Sequence, residues 1–114
     1  MLSPTIAASA CAARALGYPG VADRIIDERL SPQRVARMFA LSVSRNPNAC
    51  VVVLLAGALA RYRVSPGGWN GEDERQLALE ALCREPFPDR AVAKLGRKAA
   101  AIVERHWPEI SRAA

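Results

Sequence analysis

The stretch Ala49-Cys50-Val51-Val52-Val53-Leu54-Leu55-Ala56-Gly57-Ala58-Leu59-Ala60 decides the fold. It is uncharged and apolar on every side, so it does not suit a surface helix with one wet face. The Val51–Val53 triplet has strand character. However, the run is long for one strand, and no partner strand is evident. A central buried helix, running to about Tyr62, fits better, and part of its surface could serve as a dimer interface. The twelve residues fall short of the ~20 that span a bilayer. The N-terminal Met-Leu-Ser-Pro-Thr-Ile has no basic segment of the kind that opens a signal peptide. The expectation is a soluble, cytoplasmic chain with no membrane partner.

Outward from this run, Pro and Gly cut the chain into helix-sized pieces. Ser3-Pro4 reads as N-cap and first helical residue, with Gly17 as the stop, which predicts a helix near 4–16. Tyr18-Pro19-Gly20 is a turn, and a short helix follows near 21–29. Ser31-Pro32 repeats the capping signal and opens a third helix to about Arg45, with Val35, Ala36, Phe39, Ala40 and Val43 on one face. Asn46-Pro47-Asn48 breaks the chain, and Asn48 caps the apolar helix.

Ser65-Pro66-Gly67-Gly68 reads as a linker between an N-terminal helical module, 1–64, and a C-terminal unit, 65–114. The whole chain of 114 residues has a net charge of +5, with 51% hydrophobic and 24% charged residues, the composition of a folded chain. Eight Arg against three acids precede residue 66, whereas eight basic and eight acidic residues follow. The whole basic surplus therefore lies in the first part. A modest positive charge favours a polyanionic partner only weakly.

In the second part, Asn70 is a fair N-cap and Glu72-Asp73-Glu74 suits the positive end of a helix dipole. Leu77, Ala78, Ala81 and Leu82 form its apolar stripe, and Pro86 ends it. A short helix from Asp89 to Leu95 turns at Gly96 into a third helix, Arg97 to Trp107, which Pro108 bends or ends. Two helices joined by one Gly make a helix-turn-helix. In the third helix, Ala99, Ile102, Val103, His106 and Trp107 share an inward arc. Arg97, Lys98, Ala101 and Arg105 share the opposite one, with Glu104 at its edge. Cations around a small Ala suit a DNA groove, since the Ala permits close approach and the long side chains reach phosphates or guanine edges. A solvated face of an Arg-rich protein has the same pattern.

Trp69-Asn70-Gly71-Glu72-Asp73-Glu74-Arg75-Gln76-Leu77 resembles the opening of a Myb/SANT repeat. Phe87 and Trp107 continue a spacing similar to that family's three aromatics. Leu95-Gly96-Arg97-Lys98, with Ala101 and Arg105 after it, is similar to the entry into its third helix, although Lys98 stands where the family has Ser or Thr. The resemblance covers about residues 66–112. It implies a three-helix unit whose third helix enters the major groove when basic, and grips protein partners when acidic.

The expected architecture is therefore all-α, an N-terminal helical bundle supporting a Myb-like helix-turn-helix unit. The expected function is binding of double-stranded DNA, as a small transcriptional regulator or accessory factor. The contacting residues are Arg97, Lys98, Ala101 and Arg105, with Arg90 and Lys94 before them. Arg34, Arg37, Arg61 and Arg63 could add backbone contacts. The N-terminal helices would supply dimerisation or a partner surface. The rival expectation is a protein-interaction module, an adaptor or inhibitor without DNA binding, which the neutral charge of 66–114 favours.

Catalytic signatures are lacking: there is no phosphate-cradling GxxxxGK, no GxSxG and no HExxH. Cys11, Cys50 and Cys83 never form a CxxC and read as small buried hydrophobes. No metal-ligand spacing surrounds His106, the only histidine, which reads as a helix-packing residue. Neither cofactor nor metal is expected, and the chain does not read as an enzyme.

Overall fold

A computed structural model of the chain describes residues 2–41, 46–66 and 71–114. Among these the chain is all-helical: α1 Pro4–Ala15, α2 Pro19–Glu28, α3 Pro32–Leu41, α4 Pro47–Val64, α5 Glu72–Ala81, α6 Pro88–Arg105 and α7 Trp107–Ala113. The expected residues Trp69 and Asn70, the Gly67-Gly68 part of the linker, and the end of the third helix at 42–45 lie outside the described residues.

The Ser-Pro signals act locally as expected. Ser3 Oγ accepts from the Ile6 amide at 3.2 Å and Ser31 Oγ from the Arg34 amide at 3.3 Å. Pro supplies the first turn, where its missing N–H costs nothing. Gly17 adopts φ 92° after α1. The cap of α4 is Asn46 rather than Asn48: Asn46 Oδ1 accepts from the Ala49 amide at 3.0 Å, so Pro47 opens the helix instead of breaking the chain. For α5 the capping position is Gly71, at φ 70°.

α4 is the central element, as its apolar composition predicts. From Ala49 to Ala60 every residue is buried except the half-buried Leu55 and Leu59. By length and composition α4 could cross a membrane, with mean hydropathy 1.2 over 18 residues, and 56% of it is buried within the protein. Its apolar surface is used against α1, α3, α5 and α6. The α1–α4 crossing is especially close. A Cβ at Gly57 would stand 2.5 Å from Ser9 Oγ and 3.1 Å from the Thr5 carbonyl oxygen. Ser9, itself buried, donates to the Val53 carbonyl at 3.2 Å.

The main apolar cluster joins Ala7, Ala12, Ile25, Phe39, Val53 and Leu54 to Ala99, Val103 and Ile110. The parts before and after residue 65 thus share one core. A smaller cluster of Val51, Ala78 and Leu82 seats α5.

The C-terminal helices depart from the expected helix-turn-helix. The expected helices 89–95 and 97–107 are one unbroken helix, α6, and Gly96 lies in its interior. Strong helix formers on both sides, Ala-Lys-Leu before and Arg-Lys-Ala-Ala after, offset the ~1 kcal/mol that one interior Gly costs. Pro108 does not simply end a helix. It occupies the first turn of α7, and His106 caps both α6 and α7. Phe87, one of the three aromatics in the resemblance, is 63% exposed, whereas Trp107 packs partly against the core. Of the three cysteines only Cys50 is buried; Cys11 is half-buried and Cys83 exposed.

Candidate nucleic-acid interface on α6

α6 lies on the surface of the bundle. Ala99 and Val103 are buried, and Ala91, Val92, Leu95, Gly96 and Ile102 are half-buried on the same side. At 100° per residue, the order around the opposite side is Arg97, Arg90, Ala101, Lys94, Arg105, Lys98. All six are exposed. They occupy about 100° of arc and about 22 Å of helix axis at 1.5 Å per residue. These are the six residues expected to contact DNA. The unbroken helix brings them onto one continuous stripe, which a turn at Gly96 would have split.

Each of the two acids of α6 is paired with an arginine of a neighbouring helix. Glu104 accepts from Arg63 of α4 at 2.6 Å, and Asp89 pairs with Arg75 of α5 at 3.4 Å. Arg63 also lies over the Trp107 ring, 4.2 Å from its centroid. Arg90 sits 4.9 Å from the centroid of Phe87 at the start of the stripe. Among the described residues, Lys94, Arg97, Lys98 and Arg105 form no ion pair. Neighbouring cations that are not ion-paired repel each other, and a polyanion relieves that repulsion.

Two clefts flank the stripe. On the Lys94 and Lys98 side is one of about 660 Å³, lined also by Tyr18, Asn46, Asn48 and Glu85. On the Arg97 side is one of about 440 Å³, formed mainly by Leu55, Leu59, Tyr62, Val92 and Gly96. The first is polar and the second apolar. Of the arginines expected to assist, Arg63 is engaged with Glu104 and Trp107, and Arg34 and Arg37 are exposed on α3.

The structure also gathers three residues that the sequence did not connect. Cys11 of α1, His106 at the α6–α7 joint and Glu109 of α7 place their ligand atoms within 4.8 Å of one another. Burial, and next the Glu109 carboxylate, push the Cys11 thiol up from its ordinary value, with Arg14 opposing. Cys50, buried without such neighbours, is pushed up to about 11 by burial. Ninety-five positions separate Cys11 from His106, so no local spacing could have signalled the cluster; only the docking of α7 against α1 creates it.

No family model, curated protein or solved structure matches this chain. Its function is therefore read from its own geometry.

Proposed function

We propose that the chain binds double-stranded DNA through the cationic face of α6, acting as a small transcriptional regulator or DNA-associated accessory factor. The observation that carries this reading is the stripe of five cations around Ala101, with both acids of α6 paired to arginines of other helices. A B-DNA major groove about 12 Å wide admits one α-helix. A single helix laid along the groove replaces the helix-turn-helix mode implied by the Myb/SANT resemblance. Ala101 at the centre allows close approach, while the long side chains on either side reach phosphates and base edges. The N-terminal helices hold α6 in place and would supply any self-association or partner surface.

Five neutralised phosphates give a slope of log K against log salt of about −4.5. Affinity for a duplex, followed by fluorescence anisotropy, should then fall about 500-fold when salt rises fourfold. Lys98→Glu and Arg105→Glu should weaken binding strongly while the helical spectrum persists. Absence of binding at low salt, or indifference to both reversals, overturns the proposal.

One observation favours a protein partner instead. Tyr62 and Val64 are 55% and 54% exposed at the end of α4, and Tyr62 lines the apolar cleft beside α6. On this second reading, an adaptor or inhibitor surface lies on that cleft. Binding to the partner would then respond to Tyr62→Ala and not to Lys98→Glu.

A further inference from the structure

We propose that Cys11, His106 and Glu109 form a divalent transition-metal site, suited to zinc, that ties α1 to the α6–α7 joint. Nitrogen, sulfur and carboxylate oxygen are the three donor types that zinc accepts. A thiolate in the set selects against magnesium and calcium, which take oxygen ligands.

The geometry is near what the ion requires. Tetrahedral zinc with bonds of about 2.0–2.3 Å places its ligand atoms about 3.3–3.8 Å apart. His106 Nδ1 and Glu109 Oε1 are already 3.8 Å apart, one turn from each other. The widest separation in the cluster, within 4.8 Å, closes by about 1 Å through side-chain rotation of half-buried Cys11 and exposed Glu109. The backbones behind the donors are held in place. Cys11 is flanked by buried Ala10 and Ala12 on α1. α7 is fixed by buried Ile110 and by the Leu2 amide, which donates to the Ala113 carbonyl at 3.0 Å.

The three donors line a cavity of about 420 Å³, which leaves room for a fourth ligand from solution. Three protein donors plus one exogenous ligand is the open form of zinc coordination rather than the closed four-residue form. Arg14 and Arg105 line the same cavity, and Arg14 pairs with Asp23 at 3.5 Å. Their charges favour an anionic fourth ligand such as hydroxide or a small carboxylate. A thiolate beside the Glu109 carboxylate repels it, and a doubly charged cation between the two reverses that interaction.

The test uses the full chain after chelator treatment. Zinc titrated against a chromogenic chelator should bind at one ion per chain and raise the thermal midpoint. Cobalt in its place should give thiolate-to-metal charge-transfer absorption. Cys11→Ser should abolish that absorption and weaken zinc more than about 100-fold, beyond the loss seen when only an outer-shell partner is removed. Glu109→Gln, a change at an exposed residue, should also weaken zinc and remove the thermal shift while leaving helix content unchanged. Cys83→Ser should change nothing. Lack of stoichiometric binding, cobalt binding without thiolate absorption, or affinity indifferent to Cys11→Ser or Glu109→Gln overturns the proposal.

Discussion

Replacing Gly96 by Ala separates an unbroken α6 from two helices joined by a turn, because the two geometries demand opposite signs. In α6, Gly96 is interior and is not among the glycines with positive φ, which among the described residues are Gly17 and Gly71. A Cβ there would meet only Leu55 Cδ1, at 3.8 Å, an ordinary contact. Ala is favoured over Gly in a helix interior by about 0.8–1.0 kcal/mol, and here no clash subtracts from the gain. The unfolding entropy of a chain this long is about 0.24 kcal/mol/K, so the melting temperature should rise by about 4 °C. Were Gly96 instead a turn residue at positive φ, the same methyl group would destabilise the chain. Calorimetric melts of the two proteins decide the matter. A midpoint lowered by several degrees would refute the continuous helix and, with it, the single cationic stripe.

The other glycine facing α4's neighbours should behave in the opposite way. Gly57→Ala gains the same propensity but drives a methyl group into Ser9 and the Thr5 backbone. Overpacking of about 1–3 kcal/mol should outweigh that gain and leave a net loss of about 1 kcal/mol by urea denaturation. Arg63→Ala removes both the Glu104 ion pair and the stacking on Trp107, and should cost about 1 kcal/mol in the same assay. Glu104→Gln, which spares the stacking, should cost less. Glu74 is 3% exposed, and its Oε2 has no hydrogen-bond partner among the described residues. Burial foremost raises its carboxyl above the ordinary 4.5, opposed first by a hydrogen bond from its own backbone and last by Arg61. A raised folded-state value means that stability is greatest below the unfolded value and is lost as pH rises through the folded one. Glu74→Gln should therefore be more stable than the parent at pH 7, with the difference shrinking as pH falls through Glu74's folded value. A difference independent of pH would refute the assignment.

Local chemistry was the most legible part of the sequence. Ser3-Pro4 and Ser31-Pro32 cap their helices through bonds spanning three residues, so their neighbours suffice to specify them. The apolar run in α4 was legible for another reason: a segment with no polar side has to be covered on every side. Gly96 was misleading because the same residue type both stops helices and is tolerated within them. What decides between these is the helix-forming strength of the flanks and the packing against Leu55, and the second of these is tertiary. Asn46 and Asn48 are equally good caps by type, and only the placement of Pro47 in the first turn distinguishes them. The cations of the candidate interface were legible one by one. Their continuity was not, since it depends on α6 passing through Gly96 unbroken. The Cys11–His106–Glu109 cluster had no sequence signal at all, because its members meet only where the two ends of the chain pack together.

The charge distribution gains meaning from the same packing. By sequence, the basic surplus belongs to the first 65 residues, and the segment carrying α6 is neutral. That division suggests that any polyanion would be drawn to the N-terminal half. In the fold, however, Arg63 from the basic half reaches across to Glu104, and Arg75 of α5 takes Asp89. The acids that make the second half neutral are thus partly consumed at the edges of α6, one of them by a cation from the first half. What remains on the outer face of α6 is a local excess of positive charge that neither the total of +5 nor its division at residue 65 describes. Over the ~8–10 Å within which charges act at physiological salt, a partner senses that face rather than the sum. Glu104→Gln consequently weakens the tether to Arg63 without adding a cation to the stripe, whereas Arg63→Ala frees an acid beside it. If α6 binds DNA, Arg63→Ala should lower affinity although Arg63 lies outside the stripe itself, whereas Glu104→Gln, which removes the acid beside the stripe and releases Arg63, should raise it.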